Sequence, residues 1–220
     1  MKLAIIASAA VISAYAGATA ATTRSEPLYE KGIPAARHLH STLRADMRKA
    51  WAEHTIYTHQ YLVSAIGGLP DATVIVTRLM KNKEQIGDVV GEFYGKAAGD
   101  KMTMLLKQHI SQAADLVKAL KVGDVPGATL LNKQWKENAD AIADLLSKAN
   151  PNWKKADLLG MLNDHLSMVA DQAKARLDLK WDADVTAQDH NFNHMMKMSD
   201  ALADGIAKQF PSKVTADIKQ

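Results

Sequence analysis

Five histidines fall where helical spacing turns them toward a buried stripe. His54 stands in register with Leu43, Met47 and Trp51, and His109 with Met102, Leu105 and Val117. His165 lies among Leu158, Leu162 and Val169, while His190 and His194 accompany Met195, Met198 and Leu202. Asn82 and Asn138 hold the equivalent position in two further segments, beside Leu79 and Ile86 and beside Trp135 and Ile142. Counted from the turns that separate the segments, neighbouring polar residues differ in height by about two residues, roughly 3 Å at the helical rise. The expectation is one polar layer across the middle of a helical protein.

A buried layer of this kind must be hydrogen-bonded or occupied, because each unpaired polar group costs about 1–3 kcal/mol. One chemistry is a metal centre. Imidazoles converging from several helices suit copper, zinc or iron, and His190 and His194 have the i, i+4 spacing that sets two ligands on one face. His54, His109, His165 and His194 are then the expected ligands, His190 a supplementary one, with Asn82 and Asn138 holding the rings from behind. The run from His190 to Met198 adds thioethers that lean toward copper, although methionines at helical spacing also serve as core filler. The other readings are a His/Asn network that fixes helix register, making the protein a structural or interaction scaffold, and a pocket for a small organic ligand.

Catalytic signatures are lacking. There is no Gly-x-Ser-x-Gly, no P-loop and no Gly-x-Gly-x-x-Gly. Di-iron carboxylate chemistry needs Glu-x-x-His motifs, and here Glu53 directly precedes His54 and Asp164 directly precedes His165. Asp182-Ala183-Asp184 matches a bare Asp-x-Asp, but at a helix start it reads as a cap that complements the helix dipole. His59, five residues from His54, turns to the flank; Trp51 and Trp135 read as core, Trp153 and Trp181 as surface.

The elements that must position these residues are helices. Proline punctuates the chain at 27, 34, 70, 126, 151 and 211 and interrupts no periodic segment. The spacing predicts helices near 37–67, 71–94, 100–122, 126–149, 152–180 and 184–209, with Asp71, Asp100 and Asp182 or Asp184 as caps. Strand signals are missing, so the fold class is all-α: a six-helix antiparallel bundle with short connections. Lys49-Ala-Trp51-Ala-Glu-His54 echoes Lys133-Gln-Trp135-Lys-Glu-Asn138, and Pro70 and Pro151 each lie 39 residues before a histidine, His109 and His190. These spacings suggest two copies of a three-helix unit.

Lys2, the apolar run Leu3–Val11 and the small-x-small Ala18-Thr19-Ala20 read as a signal peptide over 1–20, giving a periplasmic or secreted protein. Residues 21–36 read as an extended arm, 37–211 as the helical domain and 212–220 as a fraying tail. No later segment reaches the ~20 apolar residues of a membrane span. Cysteine is absent, which excludes disulfides and thiolate ligands. The net charge of +3, with lysines alternating with acids, argues against a nucleic-acid partner and leaves protein partners unidentified.

Trp51-Ala-Glu-His54, Gly68-Leu-Pro-Asp71, Leu105-Leu-Lys-Gln-His-Ile110, Trp135-Lys-Glu-Asn-Ala139, Asn150-Pro-Asn-Trp153, His165-Leu166 and Gln209-Phe-Pro211 together cover most of the chain. On these fragments the sequence resembles a family of exported bacterial all-helical proteins of unestablished activity. Some members carry the labels glycosyltransferase or acetylglutamate kinase by transfer. The resemblance implies the helical fold and no substrate. Residues and resemblance together give the expectation of a non-catalytic, exported helical bundle that binds a transition metal.

Overall fold

The computed structural model describes residues 40–215, with side chains from Leu43 to Val214. The expected signal peptide, N-terminal arm and last five residues lie outside the described residues, as does His38. The described chain is all-α, and no strand occurs among its residues. Six long helices follow one another: α1 His40–Gly67, α2 Ala72–Tyr94, α3 Lys96–Lys121, α4 Val125–Ala149, α5 Lys155–Leu177 and α6 Trp181–Gln209. A short α7, Pro211–Thr215, closes the series. It falls where fraying was expected; Val214 is buried, and that apolar anchor holds the turn.

Each long helix packs on its chain neighbours, and α6 returns to α1, so the six close a ring. α1 also reaches α3 and α5 across the interior. One continuous apolar core runs through the ring, from Leu43 and Trp51 through Ile86, Leu106, Ile142 and Leu162 to Ile206.

The helices stop for local reasons that recur. After α1, α3 and α5 the chain turns through one residue in the left-handed region: Gly68 (φ 69°), Gly123 (φ 72°) and Leu179 (φ 59°). Each turn is closed by the same backbone bond over five residues: Leu69 N–H to Ser64 O, Asp124 N–H to Ala119 O and Lys180 N–H to Ala175 O, at 2.8–2.9 Å. This is the Schellman closure, which satisfies carbonyls that the helix end would orphan. It joins α1 to α2, α3 to α4 and α5 to α6 as three helix pairs.

The connections between pairs differ. At α2–α3 the helices cross on bare backbone, where a Cβ on Gly99 would stand 2.7 Å from Gly87 O. At α4–α5, Asn150 donates to the Tyr94 hydroxyl (2.8 Å), which donates to Gln209 Oε1 (3.1 Å). Gln209 Nε2 donates to Ala149 O (3.1 Å). This network ties the end of α2, the α4–α5 turn and the end of α6 together.

Three capping expectations are corrected. Asp71 precedes α2 but makes no side-chain cap bond. α3 starts at Lys96, because the left-handed Gly95 has already turned the chain, and so places Asp100 inside the helix. α6 starts at Trp181, so Asp182 and Asp184 stand in its first turn, where they complement the helix dipole as expected, and not at the cap. The carboxylate that does cap is Asp124, which accepts from Gly127 N–H at 3.0 Å.

Candidate functional site

Three imidazoles meet inside the ring, one from the first helix of each pair. His54 (α1), His109 (α3) and His165 (α5) recur at intervals of roughly 55 residues and are all buried. His54 Nε2 lies 3.2 Å from His165 Nε2. The His109 ring stacks near His165, with centroids 6.2 Å apart and 19° between planes. Trp135 covers His109 (centroids 5.1 Å apart), and the edge of Trp51 meets His54 (5.8 Å).

The second helix of each pair supplies an asparagine. Asn138 on α4 accepts from His109 Nδ1–H at 2.9 Å, and its amide donates to Leu105 O at 3.0 Å, one turn before the histidine. Asn191 on α6 accepts from His165 Nδ1–H at 2.7 Å. The amide role there passes to His194, whose Nε2 donates to Met161 O (2.8 Å), again one turn before the ring it serves. Asn82 on α2 donates to Ala50 O at 2.9 Å, in the same place relative to His54.

The first pair departs at one point: Lys83 stands between asparagine and imidazole. Its Nζ is 2.5 Å from His54 Nδ1 and donates to Asn82 Oδ1 at 2.9 Å, and its side chain is wholly buried. Burial, with Arg78 adding to it, pushes the amine well below the usual lysine range, toward the neutral form. Burial likewise lowers all three imidazoles. His54 falls well below 6.5, with Lys83 contributing. His109 falls to about 3 and His165 to about 4, each against the opposing pull of its asparagine.

These contacts fix protons. The Asn138 and Asn191 oxygens require Nδ1–H on His109 and His165, so in neutral rings both Nε2 atoms carry lone pairs. His54 can close the network in two ways. With Lys83 donating to Nδ1, His54 Nε2–H donates to His165, and a chain of donors runs Lys83, His54, His165, Asn191. With Nδ1–H donating to the neutral Lys83 amine, both facing Nε2 atoms carry lone pairs and need a cation between them. The interchange takes a tautomer change alone.

Among the described residues, no group of three or more His, Asp or Glu side chains already stands in a metal-holding arrangement. Two imidazole nitrogens are at ligand spacing, and His109 stands beside them. His194 is half-buried and committed to Met161 O, while His190 is exposed, so neither joins the three. Lys83 and Asn191 were not anticipated from sequence. The recurrence of an Asn four residues before Ile86, Ile142 and Met195 was the available signal for Asn191.

Two further expectations change. Asp184 is no exposed cap: its side chain is 3 % accessible and pairs with Arg176 (2.9 Å) and His59 (2.9 Å), which draws His59 inward from the flank. Trp153 is buried, its indole N–H on Ala201 O (3.2 Å), because Gly205 leaves space for the ring. Trp181 is exposed as expected, with Arg176 over its face at 4.9 Å.

No described helix is long and apolar enough to cross a membrane. Comparison of the chain with family models, curated proteins and solved structures gives no match.

Proposed function

We propose that this protein is a non-catalytic exported bundle of three antiparallel helix pairs that binds one transition-metal ion through His54, His109 and His165. The observation that carries the reading is the 3.2 Å between His54 Nε2 and His165 Nε2, each ring held at Nδ1 from the far side. Two nitrogens on one metal with bonds of about 2.0–2.1 Å stand roughly 3.3 Å apart in tetrahedral geometry. Asn138, Asn191 and Lys83 are the partners that orient metal-ligating histidines, and Asn82 steadies Lys83. Three neutral imidazoles suit zinc or copper, then iron, and suit calcium or magnesium poorly. Burial keeps the rings unprotonated, which ligation requires.

The ion is tested in untagged protein purified without chelator. About one equivalent of metal is expected, or uptake of added zinc or copper that raises Tm, with both lost in His109→Leu. A chain that neither retains nor takes up metal contradicts the reading. A metal-free layer that fixes helix register is the second reading. It is favoured by the donor chain from Lys83 to Asn191, which closes without an ion. Under it, His109→Leu changes stability and nothing else.

Export and the resemblance to the exported helical family belong to the same proposal. They predict a mature N-terminus near Ala21, read by N-terminal sequencing of the protein from its native host.

A further inference from the structure

We infer that the end of the ring built by the three pair turns is a membrane-docking surface, and that its partner is a zwitterionic lipid bilayer. The antiparallel order of the helices brings those turns to one end. Lys121 Nζ donates to Ala65 O at 2.8 Å and joins the second turn to the first. His59 on α1 meets Asp184 near the start of α6 at 2.9 Å, beside the third. α1 begins and α7 ends at the opposite end, where Lys213 lies over Phe93, so the described chain enters and leaves away from this surface.

Each turn lifts large apolar side chains into water: Leu69 and Val74 at the first, Val122 and Val125 at the second, Leu179 and Trp181 at the third. Val122, Val125, Val74 and Leu179, at 67–78 % accessible, are the four most exposed large apolar residues among those described. Apolar residues scattered singly need no explanation, but a gathering on one face marks an interaction site. Two of these side chains are held in place. Leu179 keeps a left-handed backbone (φ 59°) with a Cβ where the other two turns use glycine, so strain is retained along with an exposed apolar side chain. Arg176 lies over the Trp181 ring at 4.9 Å and is itself fixed by the buried Asp184 at 2.9 Å, which gives the exposed indole a rigid mount.

The kind of partner follows from charge and shape. Lys121 and Lys180 stand among the apices with Asp71, Asp124 and Asp178, all exposed. Both signs suit a zwitterionic headgroup layer, whose phosphates take the lysines and whose ammonium groups take the aspartates; an anionic surface would repel the aspartates. Apolar apices with an indole and long lysines beside them match the chemistry of a membrane–water interface. A second copy fits less well. A stable protein interface buries about 800 Å² per partner in packed contact, and here charged residues separate the apices, whereas lipid can flow around each one.

The test uses the protein as its native host accumulates it, with vesicles of phosphatidylcholine and phosphatidylethanolamine that carry brominated acyl chains. The parent should co-sediment with the vesicles at low and high salt alike, and the bromines should quench the exposed Trp181. Leu179→Gly/Val122→Ser should lower the partition coefficient at least fivefold while Tm stays at or above the parent's, because the strained turn is relieved. Gly160→Ala, on α5 away from the turns, should partition as the parent does. No binding, binding to anionic vesicles alone that high salt abolishes, or a double variant that partitions like the parent would overturn the proposal. Self-association of the parent without vesicle binding, lost in the double variant, would overturn it too, by assigning the surface to a second copy. None of these outcomes touches the metal reading, which rests on other residues.

Discussion

At the scale of single residues, Lys83 is the boldest feature of the layer. A wholly buried amine with no carboxylate partner is stable only as the neutral base. Its folded pKa lies below its unfolded value, so the folded chain binds fewer protons than the unfolded chain between the two. Stability of the metal-free protein should therefore rise with pH up to about 10.4, by as much as ~1.4 kcal/mol per pH unit. Urea unfolding at pH 7, 8 and 9 reads that slope, and Lys83→Met should abolish it. A slope that survives the substitution would show that the amine is charged in place.

The same sign holds for the imidazoles at lower pH. His109 and His165, at about 3 and about 4, stay neutral in the folded chain where unfolded histidine is protonated. Stability should fall as pH drops below about 6.5, toward those values, at up to ~1.4 kcal/mol per unit for each ring. His109→Gln should remove about one ring's share of that slope in acid titrations of the melting temperature.

His54, His109 and His165 were legible in the sequence, because an imidazole inside an apolar stripe is costly unless it is hydrogen-bonded or ligated. Lys83 was not. A lysine beside an asparagine in a helix reads as a chain that carries its ammonium to water, and only the neighbouring imidazole makes the buried form tolerable.

At the scale of elements, the three pair turns share one closure, and one of them breaks its own rule. Gly68 and Gly123 take the left-handed residue without penalty, while Leu179 takes it with a Cβ at φ 59° and a side chain 67 % exposed. Leu179→Gly should stabilise the protein by about 1 kcal/mol, read as a higher urea midpoint at constant slope. The α2–α3 crossing predicts the opposite response. Gly99→Ala would press a Cβ against the Gly87 and Gly91 backbone and should cost about 1–3 kcal/mol. Gly160→Ala, with open space around it in α5, should stabilise by up to ~1 kcal/mol.

Helix order and number among the long elements were readable from period and proline placement. The helix ends were not, where they depend on a backbone sign or a distant partner. Gly95 starts α3 four residues early, and Asp184 is withdrawn from capping by His59 and Arg176. Neither partner is a sequence neighbour in the sense that periodicity can detect.

At the scale of the whole molecule, the site repeats by helix pair, three times. Each pair brings one imidazole and one asparagine, and each has a donor on the carbonyl one turn before its histidine. The expected two-copy relation of three-helix units cuts across these pairs. The Trp51/Trp135 echo that suggested it joins a first helix to a second, α1 to α4. The threefold recurrence was present in the sequence as the spacing of three histidines, hidden because Lys83 and His194 replace the regular partner in two of the pairs.

His54, His109 and His165 are the proposed ligands of one ion, and that proposal has a direct measurement. X-ray absorption at the metal edge of the zinc-loaded full chain should show nitrogen donors at about 2.0–2.1 Å with outer-shell scattering from three imidazole rings. His109→Leu should reduce the count to two. An oxygen-dominated shell without imidazole scattering, or a ring count unchanged by His109→Leu, would contradict the account.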